Sequence, residues 1–504
     1  MNMPPIILPM DQYSSLDKLV VDLKLILSDP TARALIAYIK FNDGMHLDDG
    51  GPNVFREVQR VIDDTGSTAS RFLDLKIADT KDTNLNTLGR YGDLSGCIVT
   101  VRDSVSAAGW LALRRKFPKA KLALVSVLTD TPEEECRERN GMSPTYKILV
   151  DIDNINHAYA KIRTEADNPE PFDMIVCSPL EVNELFQTCG HRYQFIVPGI
   201  RDAWMSAGQQ ARFTGIREAL KSGATYVVAG AQLTKGNPKA DSPVSAQQSR
   251  EWTYKEVEAA NHVIIVPGNP LATLDNCDGF YESPIDGEGC YAGPLVAYTG
   301  TYKNDVGEQK NYVGFCYFNF SRAEDKPLVL LAFCRWLADK IKATSGVPDV
   351  LMAMPMGSVF LTVMLGKFLG CRIIFAEKKI ITPADSAKGT KEVSILILGR
   401  HAIRPGETVG ITEDVCNNFS TTNKAVELIE NSGGIFHGVY CEINRSNLTE
   451  WHGQPVTSLV HKPSPEFRQD DPAVAELIAA GKIFWNPKST TEWRQLKLIM
   501  ERGY

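Results

Sequence analysis

Apolar runs of strand length recur through the first 235 residues, and the stretches between them carry helical spacing. Eight runs read as strands: IILPMD at 6–11, LIAYIKFN at 35–42, RFLDLKIAD at 71–79, GCIVTVR at 96–102, KLALVSVL at 121–128, MIVCSP at 174–179, QFIVPGI at 194–200 and YVVAGA at 226–231. The connections, for example 16–27, 54–63 and 107–117, are long enough for helices. Strands alternating with helices predict a parallel sheet, and eight such units predict a closed (β/α)8 barrel. Segment 131–173 is long and polar and is expected to carry an extra element.

A polar stretch, GNPKADSPVSAQQSR at 236–250, leads into a last barrel helix ending near Asn261. Segment 267–293, rich in Gly, Pro and Asp, reads as irregular chain. The domain boundaries are therefore expected at 1–262 and 263–504. The pattern then restarts with a helix over 328–343, apolar on one face. Strands VLMAMP (350–355), RIIFAE (372–377), SILILG (394–399), TVGITED (408–414) and FHGVYCEI (436–443) follow, with helices over 359–369 and 421–431. This predicts an open α/β sheet. The tail beyond 445 holds three tryptophans and several prolines, and no element can be assigned there.

Composition narrows the class. A chain of 504 residues exceeds one ordinary core. With 43% hydrophobic and 23% charged residues it has the balance of a soluble globular protein. Net charge is -7 and no Lys/Arg-rich run stands out, which argues against a nucleic-acid partner. No apolar run is long enough to span a bilayer, and the N-terminus lacks the features of a signal peptide. Eleven cysteines without a C-x-x-C pair fit reduced thiols in a cytoplasmic protein better than disulfides or zinc.

The charges of the third strand change the picture. Asp74 and Lys76 stand two apart, among Leu73, Leu75 and Ile77. Strand alternation puts both charges on one face, which points into a barrel, and the apolar residues on the other. Asp79 comes where the strand should end, and Lys40 holds the same place on the preceding strand. All four are expected at the C-terminal rim, where barrel enzymes keep their chemistry. Surface charges at strand ends and a structural ion-pair network are the alternatives; inward charges are costly unless paired or used.

The same stretch, FLDLKIADTKDT, resembles the D-x-K-x-x-D-x-x-x-T signature of orotidine 5'-phosphate decarboxylases. FIVPGIRDAWMSAGQQAR resembles that family's P-G-I-R segment and phosphate-gripping loop. Hexulose-phosphate synthases share D-x-K-x-x-D, but the P-G-I-R and Q-Q-A-R segments favour the decarboxylase. The resemblance covers residues 5 to about 262. It implies Lys76 as the ammonium that stabilises a carbanion and donates its proton. Asp74 would crowd the substrate carboxylate, and Lys40 would hold Asp74. It implies substrate binding by Asp11, Thr83, Arg201, Gln210 and the backbone at Gly230, with no cofactor. Asp79 and Thr83 would reach across the interface of a homodimer or larger homo-oligomer. Two positions depart from the family. Ala231 stands where an Arg usually grips the phosphate, with Gln232 or Lys235 as possible substitutes. Asp130 stands where a Ser usually reads the pyrimidine edge.

In the second region, GETVGITEDVCNNFSTTNKAVELIENSGG reads as strand, acidic pair, loop and helix. A capped helix after a strand end would look similar. The order resembles the phosphoribosyl diphosphate motif of phosphoribosyltransferases, and orotate phosphoribosyltransferase is the cousin suggested by the preceding barrel. That resemblance implies a phosphoribosyltransferase-type fold. Glu413 and Asp414 would take the ribose hydroxyls, and Asn417, Asn418, Ser420 and Thr421 the 5'-phosphate at a helix N-terminus. Lys378 and Lys379 would lie near the diphosphate, which brings Mg2+ with no direct protein ligand. MAMPMGS (352–358) resembles the pyrophosphate loop, 382–392 the hood, and TGTYKN (299–304) an early loop. Phe419 replaces a glycine of the usual loop and is expected to obstruct it. Together the two resemblances imply consecutive steps: orotate and phosphoribosyl diphosphate to orotidine 5'-phosphate, then decarboxylation to uridine monophosphate. The alternative is a divergent paralogue that acts on another nucleotide, or whose second domain only binds.

Overall fold

In the computed structural model, residues 4–42, 47, 50–190, 192–205, 214–239, 243–287, 290–382 and 393–502 are described. Strands β1 (Ile6–Pro9), β2 (Ile36–Phe41), β3 (Ser70–Ile77), β4 (Ile98–Arg102), β5 (Lys121–Val125), β6 (Met174–Val176), β7 (Gln194–Val197) and β8 (Tyr226–Val228) close into a parallel barrel. One side chain from every strand meets inside: Ile7, Tyr38, Phe72, Ile98, Ala123, Met174, Ile196 and Tyr226 form one buried layer with Ile264. Alternate residues of a strand face the same way. The layer therefore decides what stands above it: Lys40 two residues beyond Tyr38, Asp74 beyond Phe72 and Thr100 beyond Ile98.

The chain divides into two units, Met1–Pro267 and Gly268–Tyr504. The boundary falls at 267 rather than 262 because Ile264 belongs to the interior layer. In addition, Gln194 Nε2 donates to the Ile265 carbonyl at 3.2 Å. The extra element in 131–173 is a helix pair, Glu133–Asn140 and Pro144–Ala160. The second helix starts on Ser143, whose side chain accepts the Tyr146 N–H, with Pro144 in the first turn.

The second unit begins with a short helix, Pro270–Asn276, and β9 (Phe280–Glu282) in the stretch read as irregular. Then come β10 (Leu295–Lys303), β11 (Gln309–Gly314), β12 (Cys316–Phe318), β13 (Val350–Ala353), β14 (Arg372–Phe375), β15 (Glu377–Thr382), β16 (Val393–Ile397), β17 (Thr408–Cys416), β18 (Ile435–Asn444), β19 (Glu450–Trp451), β20 (Gln454–His461) and β21 (Ile483–Phe484). The main sheet has the order β14-β13-β17-β18-β20-β19, parallel except for β19. Helix Pro327–Thr344 packs against β18 and β20, and helix Ser420–Asn431 against β16, β17 and β18.

Two expectations are corrected. SILILG does not join the parallel sheet; β16 pairs antiparallel with β15 as a separate hairpin. Five of the six residues of β15 are exposed, and β16 buries Leu396 in the core under helix Ser420–Asn431 while pairing with β15 rather than with a strand of the main sheet. The unassigned tail supplies β20, the parallel neighbour of β18, and helix Thr490–Arg502. Trp493 and Leu496 of that helix complete a core with Tyr281, Val296, Tyr298 and Tyr317. Their partners lie about 200 residues earlier, so no local pattern announces them.

Phe72 is 2% exposed and underlies Asp74. Phe72→Ala is expected to cost about 3–5 kcal/mol and lower the melting temperature in scanning calorimetry. Leu25→Ala, at a 68% exposed position, should change stability by less than about 0.5 kcal/mol.

Candidate functional site

The barrel rim joins the strand-end charges into one chain. Lys40 Nζ lies 2.9 Å from Asp11 Oδ2 and 3.4 Å from Asp74 Oδ2, and Lys76 Nζ lies 2.9 Å from Asp74 Oδ1. Lys40 and Asp74 are each 12% exposed, whereas Lys76 is 33% exposed and opens toward the mouth. Strand alternation alone does not bring Lys76 back to Asp74. The β3–β4 register shifts between Leu73 and Ile77, and Lys76 takes φ +47°. Such a bulge re-aims side chains, and a left-handed lysine is a strained conformation of the kind found at functional sites. Thr100, which the sequence reading missed, holds the distortion. Its Oγ1 donates to Asp74 Oδ1 (3.1 Å) and accepts the Lys76 N–H (2.8 Å). The signal was a lone hydroxyl between valines in GCIVTVR.

Burial alone would push the Asp74 carboxyl up. Lys40, then Lys76, and hydrogen bonds from Lys76 and Thr100 outweigh it and hold the carboxyl below its ordinary value. Lys40 mirrors this: burial favours its neutral form, but Asp74 and Asp11 hold the ammonium above its ordinary value. The arrangement is an ammonium, Lys76, fixed on an ionised carboxylate and facing an opening, which can deliver a proton or stabilise an adjacent negative charge.

Asp79 and Thr83 are not brought to this cluster. They sit exposed at the start of helix Lys81–Gly89. There Asp79 Oδ1 accepts the Thr80 N–H (2.6 Å), and the hydroxyls of Thr80 and Thr83 lie 3.0 Å apart. Arg201, half-buried, folds its guanidinium onto the Ile200 carbonyl at 2.9 Å. A side chain at Gly230 would meet Pro9 Cγ at 2.9 Å, so the backbone there must approach β1 closely. Gln210 lies outside the described residues. Gln232 cannot replace the missing Arg. It is fully buried, and its Nε2 donates to the Ile200 carbonyl (3.2 Å) and lies 3.5 Å from Asp202 Oδ2. Lys235 is exposed, as is Asp130, in the turn after β5.

In the second unit, Glu413 and Asp414 stand near the C-terminal end of β17, half-buried. The loop 354–358 lies against them: a side chain at Gly357 would meet Asp414 Oδ2 at 3.0 Å. Ser358 ties this loop to β17, donating to the Thr412 carbonyl at 2.7 Å and accepting the Met354 N–H at 2.8 Å. Phe419 does take the backbone of a glycine, φ +55°, but its ring does not obstruct the loop. It is 3% exposed and stacked on Trp451 at 4.8 Å, in the core. Asn418 Oδ1 accepts the Ser420 N–H (3.1 Å), and Ser420 and Thr421 are exposed at the helix start. Asn417 is engaged elsewhere, donating to Glu466 Oε1 at 2.5 Å. Lys378 and Lys379 lie exposed on β15.

Burial, then Asp414, pushes the Glu413 carboxyl up to about 8; burial likewise raises Asp414. Two further acids escaped the sequence reading. Glu324 is pushed up to about 7 by burial and Asp414. Glu442 is fully buried with neither oxygen hydrogen-bonded, and burial, Glu324 and Asp414 raise it further. Nearby, Arg445 is 9% exposed, with its guanidinium 4.1 Å from the Tyr298 ring centroid and Nη2 3.8 Å from Glu466 Oε1.

The sequence pattern of the family described as "Orotidine 5'-phosphate decarboxylase / HUMPS family" matches residues 31–246. Among curated proteins, the orotidine 5'-phosphate decarboxylase of Wolbachia sp. subsp. Brugia malayi is 32% identical over 197 residues, 38% of this chain and 78% of that protein. That of Synechocystis sp. is 30% identical over 167 residues, 32% of this chain and 68% of that protein. Among solved structures, Leishmania donovani UMP synthase is a distant likeness: 12% identity and a TM-score of 0.39 over 99% of this chain and 97% of that one.

The Asp74 contribution to stability is present above the ordinary carboxylate pKa and lost as pH falls through its depressed folded value; that of Lys40 is present below the ordinary lysine pKa and lost as pH rises through its raised folded value. Lys40→Ala removes one of the two ammonium partners of the buried Asp74, leaving it Lys76, takes the ion-pair partner from Asp11, and is expected to cost about 3–5 kcal/mol at pH 8. Near pH 4 the loss should be smaller, because Asp74, no longer held down by Lys40, takes up a proton. Denaturant unfolding at the two pH values checks this, and equal losses would contradict it.

Proposed function

Through its barrel the chain belongs to the orotidine 5'-phosphate decarboxylase / HUMPS family, and we propose that it catalyses two consecutive steps of pyrimidine nucleotide synthesis. The second unit joins orotate to phosphoribosyl diphosphate, and the barrel decarboxylates the resulting orotidine 5'-phosphate to uridine monophosphate. The observation that carries the reading is the Asp11–Lys40–Asp74–Lys76 chain, with Lys76 its most exposed member at the barrel mouth.

Loss of CO2 from the pyrimidine leaves a carbanion with no conjugated sink. Lys76 stabilises that charge as it forms and then donates its proton to the ring carbon. Asp74 orients Lys76 through its 2.9 Å ion pair and crowds the departing carboxylate; Lys40 and Asp11 hold Asp74. Arg201, Gln210 and the backbone at Gly230 receive the substrate phosphate, and no cofactor takes part. Asp79 and Thr83, exposed on the rim, complete the site of a second copy in a homodimer. Among the described residues no helix is long and apolar enough to cross a membrane, and a cytoplasmic setting suits these small-molecule substrates.

In the second unit, Glu413 and Asp414 accept hydrogen bonds from the ribose hydroxyls. The backbone and hydroxyls of the loop through Asn417, Asn418, Ser420 and Thr421 receive the 5'-phosphate. The diphosphate lies along loop 354–358, with Lys378 and Lys379 contributing charge. Mg2+ would come with the diphosphate and supply the charge that neutralises it, with no direct protein ligand, while the carboxylates of Glu413 and Asp414 stay on the ribose. A second reading, action on another nucleotide, is favoured by one observation: Gln232 is buried and cannot make up for the absent phosphate Arg at Ala231.

Incubated with orotate, phosphoribosyl diphosphate and Mg2+, the wild type should form uridine monophosphate. Lys76→Ala should stop at orotidine 5'-phosphate, with decarboxylation reduced by about 10²- to 10⁴-fold, the scale on which acid–base residues act. Asp414→Asn should block the first step. If Lys76→Ala keeps near-normal turnover of orotidine 5'-phosphate, the role given to the barrel cluster is wrong; formation of a different nucleotide would support the second reading.

Mixing inactive Lys76→Ala chains with inactive Asp79→Ala chains should restore part of the decarboxylase activity, since a heterodimer carries one intact composite site. No recovery despite demonstrated subunit exchange would sink the shared site.

A further inference from the structure

On β4 the inward face runs through Ile98, in the interior layer, and Thr100, bonded to Asp74 and Lys76. The next inward position is Arg102. Alternation holds to this point, because Arg102 is still in register, paired with Val125 of β5. A guanidinium thus stands one step above the cluster, on the border of β4 and β5, where the turn carrying Asp130 emerges. Its side chain is 26% exposed, and Nη2 is anchored on Asp103 Oδ1 at 3.2 Å. Asp103 is held in turn by Lys147, 3.4 Å from its Oδ2. One edge of the planar fork is therefore fixed, while a guanidinium carries five N–H donors in all and no acceptor.

Resting on the nucleotide reading of the barrel, we infer that Arg102 determines base specificity: it donates to the carbonyl oxygen at C4 of the pyrimidine, the position that carries an amino group in cytosine, and so selects a 4-oxo-pyrimidine nucleotide over a 4-amino one. An exocyclic amino group offers this donor no lone pair and leaves it desolvated without a partner, which is how a hydrogen-bonding site rejects the wrong substituent. Asp130 would predict the opposite preference, because a carboxylate accepts from an amino group. Asp130 is exposed in its turn whereas Arg102 lies on the inward face, so the choice falls to Arg102.

The test uses the full chain and measures dissociation constants for uridine 5'-monophosphate and cytidine 5'-monophosphate by calorimetry. Wild type is expected to favour the uridine nucleotide by at least about tenfold, the scale of a hydrogen bond to a charged donor. Arg102→Ala should weaken uridine monophosphate about ten- to hundredfold, leave cytidine monophosphate little changed and bring the ratio near one. Arg102→Lys, which keeps the charge without the fork, should fall between and controls for misfolding of the alanine variant. A ratio unchanged in Arg102→Ala, a wild type that binds both equally or neither, or a ratio that follows Asp130→Ser instead overturns the inference. Turnover of orotidine 5'-phosphate by the same preparations separates the two claims. No turnover with an Arg102-dependent ratio removes the proposed reaction and leaves the base preference. Turnover with an Arg102-independent ratio does the reverse.

Discussion

The barrel is organised around a carboxylate that cannot be left alone. Asp74 projects into the interior directly above Phe72, where an unpaired charge would be prohibitive. It is tolerated because Lys40 and Lys76 lie on its two oxygens and Thr100 adds a hydroxyl. Lys40 would itself be a buried charge, so Asp11 balances it. Two carboxylates and two ammonium groups cancel, and the chain of contacts ties the ends of β1, β2, β3 and β4 together. The strained backbone at Lys76 belongs to the same arrangement: the bulge brings the lysine onto Asp74, and Thr100 holds it there.

The second unit answers the problem of buried charge the other way. Glu324, Glu413, Asp414 and Glu442 influence one another without enough cations nearby, and burial pushes their carboxyls up. Such a site gathers carboxyl oxygens that can accept from hydrogen-bond donors. The loop through Phe419 reconciles a backbone demand with a side-chain one. A left-handed residue is required there, and the ring that would crowd a phosphate loop is instead drawn into the core against Trp451. The cost of left-handed backbone at a residue with a side chain, about 1 kcal/mol, is small against burying an aromatic ring.

What could be read from the chain depended on range. The eight apolar runs, the D-x-K-x-x-D spacing and the acidic pair after an apolar strand are local patterns, and period-two alternation brought Lys40 and Asp74 to one rim. Thr100 was invisible because its role exists only across the β3–β4 pair. Gln232 looked like a surface substitute for an arginine, yet it is buried, since its partners Ile200 and Asp202 come from another stretch of chain. The β15–β16 hairpin carried the same apolar signature as a parallel strand, and periodicity cannot say which neighbour a strand will take.

The amino-acid sequence by itself determined the barrel's periodicity, the inward placement of Lys40 and Asp74, and the acidic pair on an apolar strand, because side-chain direction follows from backbone geometry within a single element. The tertiary structure alone decided how far Lys76 bends back, which acids join Glu413 and Asp414, where Phe419 puts its ring, and that the tail completes the second unit's core. Each of these is settled by burial and by partners distant in sequence. The free energy of a charge or a ring depends on what surrounds it, and those surroundings exist only once the chain has folded.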